Sequence, residues 1–92
     1  MKVQVRPSFD SDLDRYGLSA EESQELADFH EALAAGPLPR HYGEHELIGD
    51  WAGYLECHLA DDWLVIYKRF RDRVVLYRTG THKELFDHVL KR

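Results

Sequence analysis

Cysteine is almost absent. Cys57 stands alone, so no disulfide closes within the chain and a four-thiolate zinc site is excluded. That usage fits a reducing compartment, and a cytoplasmic location is expected. No apolar run approaches the eighteen or so residues of a membrane span. The opening stretch MKVQVRPSFDSDLDRYG has no apolar run of any length, so neither a membrane partner nor a secretory signal is expected. There is no P-loop, no G-x-G-x-x-G and no G-x-S-x-G, which removes the commonest nucleotide and serine-nucleophile readings. Internal repeats and low-complexity segments are missing as well. Basic residues are scarce in the first two-thirds: residues 1–65 hold four Lys/Arg against fourteen Asp/Glu. A chain of net charge −5 does not coat itself with nucleic acid.

The remaining third inverts that balance. Residues 66–92 carry eight Lys/Arg and three Asp/Glu, so a polyanion is expected to meet the protein there. Hydrophobic residues are 43% of the chain and charged residues 32%. Those values exclude a disordered tail, a collagen-like repeat and a coiled coil. Ninety-two residues make one domain, 1–92, with a small core. The eleven aromatics must supply much of its burial.

Met1 to Arg6 reads as a short strand ended by Pro7, with Val3 and Val5 on one face. Ser8 is expected to cap a short helix carrying Phe9, Leu13 and Tyr16, stopped by Gly17. Ser19 and Glu22 form a capping box for a second helix whose buried stripe is Leu26, Phe29 and Leu33. Gly36-Pro37 ends it, and residues 36–50 read as loop. Strands are expected at Trp51–Leu59, Trp63–Phe70 and Arg73–Thr79, then a short helix at Lys83–Leu90. In the first of these, Trp51, Gly53, Leu55, Cys57 and Leu59 share one face; Ala52, Tyr54, Glu56 and His58 take the other. The order predicts an α+β fold, a helical hairpin packed on a small antiparallel sheet.

Six histidines are many for this length. His30 beside Phe29 decorates a helix rim, and His88 sits near the chain end; neither suggests chemistry. His58 lies at a strand end beside Ala60-Asp61-Asp62, and His82 follows the strand break at Gly80. His45 occupies a loop long enough to reach the same edge. Histidines titrate near neutral pH. Two or three around a phosphodiester can deprotonate a 2′-hydroxyl and protonate a 5′-oxygen leaving group. Asp62 is suited to orient or charge-tune one of them. Surface histidines with satisfied hydrogen bonds are the competing reading. His41-x3-His45 and Cys57-His58 are zinc-ligand types, but H-x3-H converges on a helix and this stretch is a Gly/Pro loop. Adjacent strand residues point to opposite faces, so no metal is expected. Cys57 reads as an inward-facing small hydrophobe.

The cations Lys68, Arg69, Arg71, Arg73, Arg78 and Lys83 interleave with Tyr67, Phe70, Tyr77 and Phe86. Cations for phosphate and rings for bases suit single-stranded nucleic acid. Arg71 to Arg73 read as ordinary charges of a solvated turn. Arg78, near a strand end and close to His82, is the candidate for stabilising a pentacovalent phosphate.

The elements H-x-L-x-G-x-W-x-G, E-C-H-L, D-W-L-x-I-Y and R-T-G-T-H-x-x-L-F occur in order between Glu44 and Phe86. In these elements the chain resembles the YafQ-type branch of the RelE/ParE toxin superfamily. The resemblance implies a RelE-like β-α-α-β-β-β fold with a short C-terminal helix. It also implies a toxin of a type II toxin–antitoxin system that cleaves mRNA in the ribosomal A site without metal or other cofactor. The implied partners are a DinJ-like antitoxin, the ribosome and mRNA. Residue by residue, His45, His58 and Asp62 match the family's site, and His82 matches the histidine tied to acid–base chemistry. Arg78 precedes T-G, Trp63 shapes the pocket, and Phe86 positions mRNA. Lys68 and Lys83 join the expected substrate-binding set. Departures are His45-Glu46-Leu47 where H-P-L is usual, no proline before Asp61-Asp62, Leu55 where arginine is common, and acidic first helices. The alternative is a catalytically weakened module of the same fold acting through protein partners, an antitoxin or a gyrase-like target.

Overall fold

The computed structural model describes residues 1–87. Its elements are β1 (Lys2–Val5), α1 (Pro7–Tyr16), α2 (Ala20–Ala35), β2 (His45–Glu46), β3 (Leu55–Ala60), β4 (Trp63–Arg69) and β5 (Arg73–Gly80), followed by a π-helical turn at Lys83–Asp87. One five-stranded sheet runs β1-β5-β4-β3-β2. The α+β class stands, but the sheet is mixed. β1 pairs parallel with β5, Lys2 opposite Arg73 and Val5 opposite Leu76, while every other pairing is antiparallel. A parallel neighbour needs a crossover: the helical hairpin carries the chain from β1 to β2 at the other edge, and β3 and β4 bring it back to β5.

The second helix is built as its sequence reads. Ser19 Oγ accepts from the Glu22 N–H, and Glu22 accepts from the Ser19 N–H. Phe29 and Leu33 are fully buried, with Leu26 packed beside them. The first helix differs. Arg6 is its N-cap and Pro7 its first residue, so Ser8 does not cap; a proline at that position sacrifices no hydrogen bond. Ser8 Oγ instead donates to the Tyr77 carbonyl at 2.6 Å. Gly17 closes α1 in a left-handed conformation, its N–H reaching the Leu13 carbonyl.

The third strand starts at Leu55, not Trp51. A 3-10 turn at Gly49–Trp51 takes the preceding residues, so alternation holds for Leu55, Cys57 and Leu59 and fails upstream. Trp51 packs on the opposite face with Leu64, Ile66 and Leu85. The stretch 36–50 is also more than loop. A 3-10 turn forms at Arg40–Tyr42, and β2 adds to the sheet edge, His45 opposite Glu56. Glu44 anchors it by accepting from Tyr67 Oη and Arg69 Nε. The expected last helix reached Leu90; residues 88–92 lie outside the described part.

Two apolar layers result. The helices cover one face through Phe9, Phe29, Leu33, Cys57, Trp63, Val65 and Tyr67. A smaller cluster around Trp51, Leu64, Ile66 and Leu85 covers part of the other face. Trp63 is 1% exposed, stacks on Tyr16 at 5.3 Å and donates from Nε1 to Thr79 Oγ. It is a core residue with no face for a substrate, which corrects its expected place in a binding pocket.

The edge of β5 is the critical seam. β1 runs out at Val5, and Asp12 from α1 takes over. Its carboxylate accepts from the Thr79 N–H at 3.0 Å and from Arg78 Nε and Nη2 at 2.6 and 3.1 Å. Asp12 is 3% exposed and is also paired with Arg15. Removing one partner of a largely buried pair strands the other. Asp12→Ala is therefore expected to lower stability by about 3 kcal/mol, with roughly 4–8 °C of melting temperature lost per kcal/mol in a domain this small. Thermal and urea denaturation monitored by circular dichroism check this; an unchanged midpoint contradicts it.

Candidate active site

β2, β3 and the segment after β5 bring three histidines into one row on the sheet face opposite the helices. His58 lies opposite Leu64, and the sheet register slips by one residue between His58 and Ala60. Such bulges turn a strand end and re-aim its side chains. The His45 and His58 rings are stacked 6.3 Å apart, and those of His58 and His82 are 5.8 Å apart. Phe86 follows, 6.0 Å from His82. All three histidines keep solvent-exposed surface.

Two carboxylates hold the row from opposite ends. Glu56 is 4% exposed, and its Oε1 lies 3.2 Å from His45 Nε2 and 3.6 Å from His58 Nε2. The other His45 nitrogen, Nδ1, is 2.9 Å from the Gly43 carbonyl. Both ring nitrogens of His45 thus face oxygens, and a ring protonated on both donates to each. Asp62 Oδ1 accepts from the His82 N–H at 3.0 Å and meets His82 Nδ1 at 2.9 Å. With Nδ1 engaged by Asp62, Nε2 is the ring nitrogen of His82 that remains for another contact.

The turn that carries His82 is locally encoded. Thr81 Oγ accepts from the Glu84 N–H, and Glu84 Oε1 accepts from the Thr81 N–H, a second reciprocal capping pair. Glu84 lies over Gly80, where an added Cβ would stand 2.7 Å from Oε1, and Gly80 has φ +154°. Only glycine fits there without displacing the turn. Leu85, 4% exposed, pins the turn to Trp51, Leu64 and Ile66.

The other expected site residues distribute differently. Arg78 is bonded to Asp12 and lines a cavity with Trp51, Tyr54 and Tyr77, so its first task is structural. Lys68 Nζ sits 4.4 Å over the Tyr54 ring. Lys83 is exposed on the turn after His82. His41 packs on Tyr42 at 4.3 Å with the rings tilted, and it forms no cage with His45. Among the described residues no three His, Cys, Asp or Glu side chains gather as metal ligands. Cys57 is buried, and desolvation pushes its thiol pKa far up, which removes it as a nucleophile. Sequence reasoning missed Glu56. Its signal was the alternation that puts Glu56 on the same strand face as His58.

The whole described chain, residues 1–87, matches the family model for the bacterial toxin of type II toxin–antitoxin system, YafQ. The chain belongs to the YafQ family. It is 46% identical over 50 residues to the mRNA interferase toxin YafQ of Escherichia coli K12, and the match spans 54% of each chain, about half the length of that relative. The fold extends the likeness. Crystal structures of YafQ from E. coli BL21(DE3) and of the E. coli DinJ–YafQ complex superpose with TM-scores of 0.82 and 0.79. Identities are 29% and 30%, covering 92% of this chain and 97% of each of those. Against this family background the histidine row and the T-G-T-H turn fall inside the matched segment, and so does the Asp12 seam.

Asp62 carries a pH prediction. The His82 backbone N–H, then the His82 ring, hold its carboxyl below the ordinary 3.8. A lowered folded-state pKa means its contribution is present at neutral pH and is lost as pH falls through that lowered value. Carbon-13 NMR titration should place Asp62 below 3.8 in the native protein and only part-way back in His82→Ala, which keeps the backbone donor. Full reversion in that variant would show that the ring, not the N–H, is the main cause. In the same samples a thiol reagent should modify Cys57 only on unfolding; rapid labelling of the native protein would refute its burial.

Proposed function

We propose that this chain is the toxin of a type II toxin–antitoxin pair, an endoribonuclease that cuts mRNA on the ribosome, neutralised by a DinJ-like antitoxin. The observation that carries this reading is the histidine row, held at one end by Glu56 and at the other by Asp62. Family membership supports it.

The chemistry requires a base and an acid on opposite sides of one phosphate. His58, steered by Glu56, takes the proton of the 2′-hydroxyl, with His45 beside it on the same carboxylate. The 2′-oxygen attacks phosphorus and the bond to the 5′-oxygen breaks. That oxygen takes a proton from His82 Nε2. A 2′,3′-cyclic phosphate and a 5′-hydroxyl result, so protons balance without a metal ion. Asp62 fixes the His82 ring through Nδ1. Phe86, beside His82, positions a base of the mRNA, and Lys83 supplies a nearby cation for phosphate. General acid or base groups each contribute about 10²–10⁴-fold.

Expression in growing cells beside a His82→Ala variant tests the reading. Growth arrest with new in-frame mRNA ends, mapped by primer extension, is expected from the native chain. His82→Ala should lose at least about a hundredfold of cleavage, and Glu56→Gln should lose less. Arrest that survives His82→Ala, without new ends, would point to a non-nucleolytic target.

A further inference from the structure

The sheet face that carries the histidines does not end with them. The ring trail continues from Phe86 onto the Trp51 cluster, where Trp51 meets Tyr54 at 5.1 Å and Tyr54 meets Tyr77 at 5.1 Å, both edge-on. Beside these rings lies a cavity of about 360 Å³ walled by Trp51, Tyr54, Tyr77, Arg6 and Arg78. Arg6 and Tyr77 also wall a second cavity, of about 470 Å³, that runs to Phe70 and Arg73 at the far end of β5. No carboxylate lines either cavity among the described residues, although the chain carries a net charge of −5. Two of the lining arginines are paired with acids, Arg78 with Asp12 and Arg73 with Asp72 at 3.1 Å.

Arg6 lies 5.7 Å over the Tyr77 ring, Lys68 4.4 Å over Tyr54, and Arg73 4.5 Å over Phe70. Each cation is thus paired with a ring. Phe70 is 38% exposed, so part of its ring is open to solvent beside Arg73.

We propose that the two cavities, which share Arg6 and Tyr77 as walls, form a second RNA subsite, a track for the single-stranded segment flanking the scissile phosphate. It rests on the ribonuclease reading and adds a specificity element to it. A base enters the first cavity against Tyr54 and Tyr77. The next phosphate passes between Arg6 and Arg73. A second base lies on the exposed part of Phe70. Alternating rings and cations fit a single strand, in which every base offers a stacking face and every link a charge. An acidic peptide has the charge but no repeated flat face for three successive rings.

The test uses the full chain and a fluorescein-labelled 2′-O-methyl hexaribonucleotide, which lacks the attacking hydroxyl and is not cut. Anisotropy should show binding. Tyr77→Ala and Phe70→Ser should each weaken it about tenfold, while Tyr77→Phe, which keeps the ring, binds as the native chain does. Arg73→Glu should also weaken it and reduce the slope of log affinity against log salt by about 0.7, one phosphate contact on a single strand. Circular dichroism confirms that each variant is folded. Binding by the native chain that all these substitutions leave untouched would overturn the track. So would absence of binding, or the same losses seen with a polyglutamate peptide and not with RNA. The ribonuclease reading is judged separately by mRNA ends in cells: cuts that persist with unchanged positions in Phe70→Ser and Arg73→Glu would refute the track alone. Loss of cuts in His82→Ala leaves it standing.

Discussion

Where β1 stops, the edge of β5 has backbone groups with no strand beside them. An exposed edge of that kind invites pairing with other chains. Here α1 covers it: Ser8 donates to the Tyr77 carbonyl, and Asp12 accepts from the Thr79 N–H while gripping Arg78. The rest of the structure depends on that carboxylate. It ties the first helix to the last strand, sixty-six residues away in sequence. It also fixes the strand just before Gly80, from which the turn bearing His82 departs. Thr79 adds a second constraint from the other side, donating to the Leu64 carbonyl and accepting from Trp63 Nε1. The position of His82 is thereby set by buried polar contacts in both layers.

The site itself obeys a simple division. Glu56 is buried and shared by two histidines, whereas Asp62 is exposed and serves one. A buried carboxylate has few ways to satisfy its charge except through its neighbours, so Glu56 holds His45 and His58 together. An exposed one is cheap to ionise and acts chiefly by direction, here on Nδ1 of His82. At one end of the row a buried carboxylate thus bridges two rings, and at the other an exposed one orients a single ring. That asymmetry is what acid–base cleavage of a phosphodiester demands.

Much of this was legible in the sequence, for local reasons. The Ser19/Glu22 capping box, the Phe29/Leu33 stripe and the Cys57 face follow from periods of 3.6 and 2 and appear as read. His45, His58, His82 and Asp62 were found by type and by position at strand ends. The failures are non-local. Nothing near Ser8 signals that its hydroxyl belongs to β5, and nothing near Arg78 signals its pairing with Asp12. The parallel β1 pairing depends on the crossover, which no local pattern encodes. Trp63 read as a pocket residue by resemblance, while its indole N–H is spent on Thr79. Arg73, dismissed as a turn charge, turns out to sit over Phe70 beside a cavity.

The most direct measurement of the central claim is the chemistry of the ends left on cut RNA. Cleavage by the histidine row requires the substrate's own 2′-oxygen as nucleophile. The account predicts a 2′,3′-cyclic phosphate on the upstream fragment and a 5′-hydroxyl on the downstream one, formed equally well in the presence of a chelator. A 5′-phosphate with a free 3′-hydroxyl, or cutting that stops with the chelator, would contradict it.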